Sequence, residues 1–125
     1  MIKKAQVTIY VSDIDNALRF YGDVLGMRIK SHWGKEFAEL EAPGVTIGLH
    51  PPTKSGPAPG TSGSISIGLE VEDLDAEISK LKEKGVSFQG SVIDDGPVRL
   101  VFFGDQDGNR FYLTQIKKGL WGCFV

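Results

Sequence analysis

The stretch GDQDGNRFYLTQ, residues 104–115, carries two aspartates, an asparagine and two glycines, and its side-chain oxygens could bind a metal ion. A calcium loop of the EF-hand type has glycine at its sixth position and glutamate at its twelfth. Counted from Asp105, those positions hold Arg110 and Ile116, so the stretch does not fit that template. Asp-Gly-Asn instead favours a tight turn, because glycine accepts positive φ and Asp and Asn side chains bond to nearby backbone. We therefore predict a turn from Asp105 to Asn109 that leads into a final strand.

The overall composition excludes other kinds of function. The formal net charge is -2 and the lysines are scattered, so we expect no nucleic-acid partner and no membrane partner. The single cysteine, Cys123, has no partner within the chain, which is typical of a reducing compartment. No apolar run has the length of a signal peptide or a membrane span, so we expect a cytoplasmic protein.

An internal repeat organises the chain. The segment VTIYVSDIDNAL, residues 7–18, returns sixty positions later as IGLEVEDLDAEI. Each copy alternates apolar and polar residues and then changes to helical spacing, which predicts a strand followed by a helix. Asp13 and Asp73 stand where a helix N-cap is expected, and Gly26 and Gly85 stand where the two helices should end.

Period-two alternation predicts three further strands in each half. These strands are 27–33, 36–41 and 45–50 in the first half, and 86–91, 98–103 and 110–116 in the second. Between the halves, PPTKSGPAPGTSGS is rich in proline, glycine and serine and predicts an exposed connection without regular structure. The predicted organisation is a single domain over 1–125, with module one at 1–50, a linker at 51–64, module two at 65–116 and a C-terminal tail at 117–125.

This order, with the segments YVSDIDNALRFYGDVLGM and FGDQDGNRFYLTQ, resembles the vicinal oxygen chelate superfamily of glyoxalases, bleomycin resistance proteins and extradiol dioxygenases. The resemblance implies an α+β fold in which two βαβββ modules form a curled mixed sheet around a concave ligand cavity. It also implies a homodimer. Because one scaffold supports lyase, isomerase, ring-cleaving and binding functions, the resemblance alone does not fix the chemistry.

Metal-dependent members of that superfamily place ligands at four strand positions, which fall here on Gln6, Gly48, Ser66 and Tyr112. Glutamine is a weak oxygen ligand, serine is a poor one, and glycine offers no side chain. A catalytic zinc site needs three protein donors from His, Cys and carboxylates, and these four residues do not supply them. The resemblance thus predicts no bound cofactor. The alternative is a divalent metal held by Gln6 and His50 in a rearranged site.

Without a metal, the implied cavity presents mixed aromatic and polar side chains that suit a flat organic ligand. Strand alternation places most of the candidates on one face, the two tryptophans are candidates for the cavity mouth, and the arginine is a candidate anchor for an anionic ligand. These candidate ligand-binding residues are Gln6, Tyr10, Trp33, His50, Glu70, Arg99, Tyr112 and Trp121. Either tryptophan could equally well pack in the core or contact a dimer partner. The arginine could equally well be an ordinary exposed residue of its strand.

Three functions follow from these residues. The first is a metal-independent protein that binds an aromatic or amphipathic small molecule. The second is a metal-dependent glyoxalase-like lyase or dioxygenase that uses Gln6 and His50. The third is a metal-free enzyme with Glu70 as general base, since a glutamate in an apolar cavity can take up a proton near neutral pH.

Overall fold

A computed structural model describes residues 1–117 of the chain. It contains two compact units, and each is described separately below. The first unit comprises Met1–Ser62 together with Asp105–Asn109, and the second comprises Gly63–Gly104 and the chain from Arg110 onward. Within residues 1–117, no helix has the length and apolar character that a membrane span requires. The predicted tail contributes only Lys117 to the described residues.

The first unit is a four-stranded mixed sheet with one helix. Its elements are β1 Val7–Tyr10, α1 Ile14–Leu18, a π-helical segment Arg19–Val24, β2 Arg28–Trp33, β3 Phe37–Ala42 and β4 Val45–His50. The strand order is β1-β4-β3-β2, with β1 and β4 parallel and the other neighbours antiparallel. The helix begins as predicted, because the side chain of Asp13 accepts a hydrogen bond from the Asn16 backbone N–H at 2.9 Å.

One face of this sheet forms the core of the first unit. The helix contacts β3 and β4. The buried side chains from sheet and helix are Ile9, Ile14, Ala17, Tyr21, Ala38, Leu40, Ile47 and Leu49. Each fully buried leucine, isoleucine or aromatic side chain contributes about 1.5–3 kcal/mol relative to an exposed one. Alternation along the strands therefore leaves the polar and remaining aromatic side chains on the opposite face.

The second unit repeats this arrangement. Its elements are β5 Ile67–Glu70, α2 Leu74–Glu83, β6 Phe88–Asp95, β7 Val98–Gly104 and β8 Arg110–Ile116. The strand order is β5-β8-β7-β6, and β5 and β8 are the parallel pair. Asp73 caps α2 by accepting a hydrogen bond from the Ala76 backbone N–H at 3.1 Å. Residues 51–64 contain no helix or strand, as predicted for the connection.

The two helices end in the same way but differ in length by one residue. Gly26 has φ 79° and Gly85 has φ 92°, the left-handed conformation that glycine adopts readily after a helix. The Val86 N–H bonds to the Leu81 carbonyl, five residues back, whereas the Met27 N–H reaches the Tyr21 carbonyl, six residues back. The π-helical turn accommodates the extra residue of the first helix, which sequence periodicity did not indicate.

Four of the six later strands differ in their bounds from the prediction, and two, Val45–His50 and Arg110–Ile116, agree with it. The largest correction concerns β6, which was predicted at 86–91 and lies at Phe88–Asp95. Pairing of Asp95 with Val98 continues β6 to a tight turn at Gly96, where φ is 62°. Cross-strand pairing thus extends a segment whose acidic residues weakened its strand pattern.

Candidate functional site

The turn Asp105–Asn109 is a structural element of the first unit. Asp105 is 8% exposed, and its carboxylate accepts four hydrogen bonds within this unit. The donors are the Tyr21 hydroxyl at 2.6 Å, the backbone N–H groups of Asp107 at 2.9 Å and Asn109 at 2.8 Å, and the Asn109 side-chain amide at 2.8 Å. Burial and the adjacent Asp105 carboxylate raise the pKa of Tyr21. The Asp105 carboxylate therefore organises the turn that the Asp-Gly-Asn sequence predicts.

The same turn fastens the end of β1. Asp107 accepts hydrogen bonds from the Ser12 backbone N–H at 3.0 Å and from the Ser12 hydroxyl at 2.5 Å. Partial burial acts to raise the pKa of Asp107, but the bonds from Ser12 and Gln106 outweigh it and lower that pKa. The Asn109 side chain also donates to the Tyr10 carbonyl at 3.2 Å. These contacts fix the strand end that carries Tyr10.

Four aromatic rings form a row across the first sheet on the face opposite the core. Tyr10 pairs with His50, and Trp33 pairs with Phe37, in strand register. The ring centroids are 5.5 Å apart for Tyr10 and His50, 6.3 Å for His50 and Phe37, and 5.5 Å for Phe37 and Trp33. Trp33 is 57% exposed. We call this row and the adjacent side chains of Gln6 and Thr8 the first face.

His50 adds a hydrogen-bond acceptor to this row. Its Nδ1–H donates to the carbonyl oxygen of Pro51 at 2.7 Å, which fixes the proton of a neutral ring on Nδ1. Nε2 then carries the lone pair, and it has no hydrogen-bond partner among residues 1–117. The histidine can therefore accept a hydrogen bond from a hydroxyl or N–H group placed against the rings.

The first face does not supply the donor set of a metal site. A side chain at Gly48 would begin 3.3 Å from the Gln6 amide nitrogen, the Phe37 ring and the Thr8 hydroxyl, so a ligating side chain at this position would be crowded by its neighbours. Gln6 contributes a single amide oxygen. Gln6 also borders an open recess of about 500 Å³ at the other end of the sheet, which Glu41 and Val45 help to line.

The second unit has a groove of about 430 Å³ on the sheet face opposite its core. The groove is lined by Gly68, Glu70, Val98, Leu100, Phe102, Tyr112, Thr114 and Ile116. We call it the second face. The Tyr112 ring lies over Gly68 so closely that any side chain at that position would overlap its ring and hydroxyl. Phe102 packs against Tyr112 at 5.9 Å between centroids, and the Arg110 guanidinium lies 4.2 Å from the Phe102 ring centre.

Neither of the remaining metal positions offers a carboxylate or an imidazole. Ser66 is exposed and precedes β5, and Tyr112 presents a ring where the superfamily pattern has an acid. Across the part of the chain that the structure describes, no three His, Cys, Asp or Glu side chains converge as a metal site would require. The residues at the four positions thus do not fit the group that metal-dependent members hold.

The structure distributes the predicted site residues between the two faces. Tyr10, His50 and Trp33 meet in the aromatic row, and Gln6 lies beside it. The second face contains Glu70, which is exposed, and Tyr112. Trp121 lies outside the described residues.

Arg99 is not among the residues that line the second face. It lies on the α2 side of β7, where it pairs with Asp75 at 3.3 Å and approaches Asp94 at 4.0 Å. Those carboxylates already use the guanidinium as a partner. Sequence reasoning also missed Phe37 and Phe102, although both fall within predicted strands on the face opposite the buried positions. That alternation was the signal that could have found them.

Two mixed sheets, each with one helix and the same βαβββ order, define an α+β protein built from a repeated module. The family model described as the glyoxalase/bleomycin resistance protein/dioxygenase superfamily matches residues 3–113. The chain belongs to this superfamily.

Several known proteins are similar over most of the chain. A member of the superfamily from Sphaerobacter thermophilus is 29% identical with a TM-score of 0.74, over 92% of this chain and 98% of that one. TnmS3, an antibiotic binding protein from Streptomyces sp. CB03234, is 26% identical with a TM-score of 0.73, over 93% and 98%. The uncharacterized protein YurT of Bacillus subtilis is 29% identical over 126 residues, 91% of this chain and 99% of its own.

Proposed function

We propose that this protein binds a flat aromatic or amphipathic small molecule against the first face, without a metal ion. The observation that carries this proposal is the aromatic row of Tyr10, His50, Phe37 and Trp33. Neighbouring strands lie about 4.8 Å apart, so a row across four strands extends roughly 14 Å. That length accommodates a fused or extended ring system stacked on the sheet.

Polar groups beside the aromatic row would orient the bound ligand. The Nε2 lone pair of His50 accepts from a hydroxyl or N–H on the ligand, while the Asp105 network holds the strand that carries Tyr10. A ligand with rings and a peripheral donor satisfies both features. The similarity to TnmS3, which is an antibiotic binding protein, supports a binding role of this kind. We further propose that the protein is a homodimer in the cytoplasm, as the superfamily resemblance suggested.

Tryptophan fluorescence tests the site directly. The sequence has two tryptophans, so Trp121→Phe leaves Trp33 as the reporter. We expect titration with bleomycin or 1-anilinonaphthalene-8-sulfonate to change Trp33 emission saturably. Phe37→Leu removes a stacking ring worth about 0.5–1.5 kcal/mol and should weaken binding roughly 2- to 12-fold.

Two further variants separate stacking from general surface hydrophobicity. His50→Phe keeps a ring in the row but removes the Nε2 acceptor, so it should weaken only ligands that carry a donor. Ile93→Ala removes a 46% exposed apolar side chain from β6 in the second unit and should leave binding unchanged. Binding that is equal in wild type and Phe37→Leu would contradict the role of the aromatic row.

One observation favours a rival function. The Nδ1–H of His50 bonds to a backbone carbonyl, an arrangement that also orients metal-bound histidines. A metalloenzyme that uses Gln6 and His50 predicts stoichiometric metal in untreated protein and its loss in His50→Ala. We expect elemental analysis to find no stoichiometric metal and chelator to leave ligand binding unchanged. Native mass spectrometry of the same sample reports any co-purified ligand and the number of subunits.

A further inference from the structure

We propose that the second face binds an organic cation, with Glu70 as the partner of its ammonium group and the rings and aliphatic side chains of β7 and β8 as the support for its apolar body. This inference names a ligand class and rests on the small-molecule role proposed above. It uses only residues of the second unit.

Charge complementarity is the first argument. Glu70 is the one acidic side chain among the eight residues that line the groove, and the others are glycine, threonine, aliphatic or aromatic. Glu70 is exposed, and within residues 1–117 its carboxylate has no hydrogen bond and no ion pair. Two carboxylates elsewhere on this chain are paired: Glu41 accepts from Arg28 at 2.5 Å, and Asp94 accepts from Lys117 at 2.6 Å. An unpaired carboxylate beside apolar surface favours a ligand that carries a positive charge and an apolar body.

Strand register indicates how far the ammonium group of the ligand should lie from the end of its apolar body. Glu70 pairs with Thr114, and Thr114 pairs with Leu100, so the three residues form one row across β5, β8 and β7. Two strand spacings separate the first and last, roughly 10 Å. Tyr112 and Phe102 form the next row on one side of it. A matching ligand therefore has its ammonium about 10 Å from the far end of its apolar group.

The contact between Arg110 and Phe102 shows that this aromatic surface accepts a cation. The guanidinium carbon is 4.2 Å from the ring centre, within the range of a cation–π interaction. Since Arg110 occupies that ring with a positive charge, a second cation is repelled there and is favoured at the Glu70 side of the groove. The ring of Tyr112, held over Gly68, lies between these two ends.

A matched set of probes tests the charge preference. The probes are 3-(2-naphthyl)propylammonium, the corresponding alcohol, and the corresponding carboxylate, which share one apolar body and differ in charge. With full-length protein at low ionic strength, we expect the ammonium probe to bind about two- to fivefold more tightly than the alcohol, with the carboxylate weakest. Added salt should reduce this preference.

Variants of Glu70 assign the preference to this residue. Glu70→Gln should remove the tighter binding of the ammonium probe and leave the alcohol unchanged, while Glu70→Lys should shift the preference toward the carboxylate. Glu83→Gln changes the net charge equally at an exposed position of α2 and should change nothing. Because Glu70 is exposed, these substitutions remove no buried contact, and circular dichroism confirms that each variant is folded.

Three outcomes overturn the inference: equal affinity for the ammonium and alcohol probes, an ammonium preference that survives Glu70→Gln, or no binding of any probe. The first two leave the proposed function in place if the Trp33 titrations depend on Phe37. If the Trp33 titrations are flat while the charge preference follows Glu70, the first-face proposal fails and the cation assignment stands.

Discussion

Replacement of Tyr21 by phenylalanine tests whether the Asp105 network stabilises the first unit. The hydroxyl of Tyr21 is buried and donates to Asp105 at 2.6 Å. Tyr21→Phe keeps the ring in the core and removes this one donor, while three other donors still satisfy the carboxylate. A hydrogen bond to a charged group contributes about 1.5–3 kcal/mol, so we expect the free energy of unfolding to fall by that amount.

Urea denaturation measures this loss. At an m-value of about 1.5–2 kcal/mol per molar urea, the midpoint should fall by roughly 0.8–2 M. Tyr10→Phe is the matched control, because among residues 1–117 the Tyr10 hydroxyl has no hydrogen bond and the residue is only half-buried. That control should shift stability by less than about 0.5 kcal/mol.

The pH dependence of the free energy of unfolding provides a second test of the hydrogen bond between Tyr21 and Asp105. The pKa of Tyr21 is raised above its ordinary value of 10.0, first by burial and then by Asp105. Below pH 10 both folded and unfolded states hold the proton, so the stabilisation is fully present. Above pH 10 the unfolded chain releases the proton first, and the free energy of unfolding falls by about 1.4 kcal/mol per pH unit. The difference in the free energy of unfolding between wild type and Tyr21→Phe should therefore become smaller at that rate. Equal stability of the two proteins at pH 8, or a constant difference from pH 8 to 11, would refute the reasoning.

Four further substitutions have expected outcomes. Gly68→Ala should displace the tyrosine ring above it and cost about 1–2 kcal/mol in urea denaturation, whereas Gly48→Ala, with contacts at 3.3 Å, should stay within about 1 kcal/mol of wild type. Asp73→Ala removes the cap of α2 and should cost about 1 kcal/mol. Ser12→Ala removes a hydrogen bond to Asp107 and should raise the lowered pKa of that carboxyl. The variant should therefore lose less free energy of unfolding than wild type as pH falls below 3.8. Plots of the free energy of unfolding against pH that run parallel for the two proteins would contradict this.

The features that local sequence encodes were predicted correctly. The repeat placed both strand-to-helix junctions, and the capping aspartates and terminal glycines lie where helix ends require them. Each depends on the residue itself and a few neighbours, so composition and spacing suffice to find it. The Asp-Gly-Asn turn was found for the same reason, although its bonds to Tyr21 and Ser12 join residues far apart in sequence.

Features that depend on distant partners were not predictable in this way. The π-helical turn arises where one extra residue fits between a cap and a terminal glycine, and no residue type marks it. The extension of β6 follows from its pairing with β7. Arg99 alternates correctly along its strand, but its role depends on Asp75 of α2, which local spacing does not bring to it. Alternation could have placed Phe37 on the face opposite the core, but only strand register shows that it lies between His50 and Trp33.

Two strand pairs, one in each unit, contain Gly48 and Tyr112, which stand at two of the superfamily's four ligand positions. In the first unit Thr8 pairs with Gly48, and sixty positions on from Thr8, Gly68 pairs with Tyr112. Each pair thus contains one glycine, and the absent side chain leaves room that Phe37 and Gln6 fill in one unit and Tyr112 fills in the other. A ring over glycine presents a flat surface where a carboxylate would present two donor oxygens. In both units these positions therefore add to an apolar or aromatic surface, which is the kind of surface that the two binding proposals require.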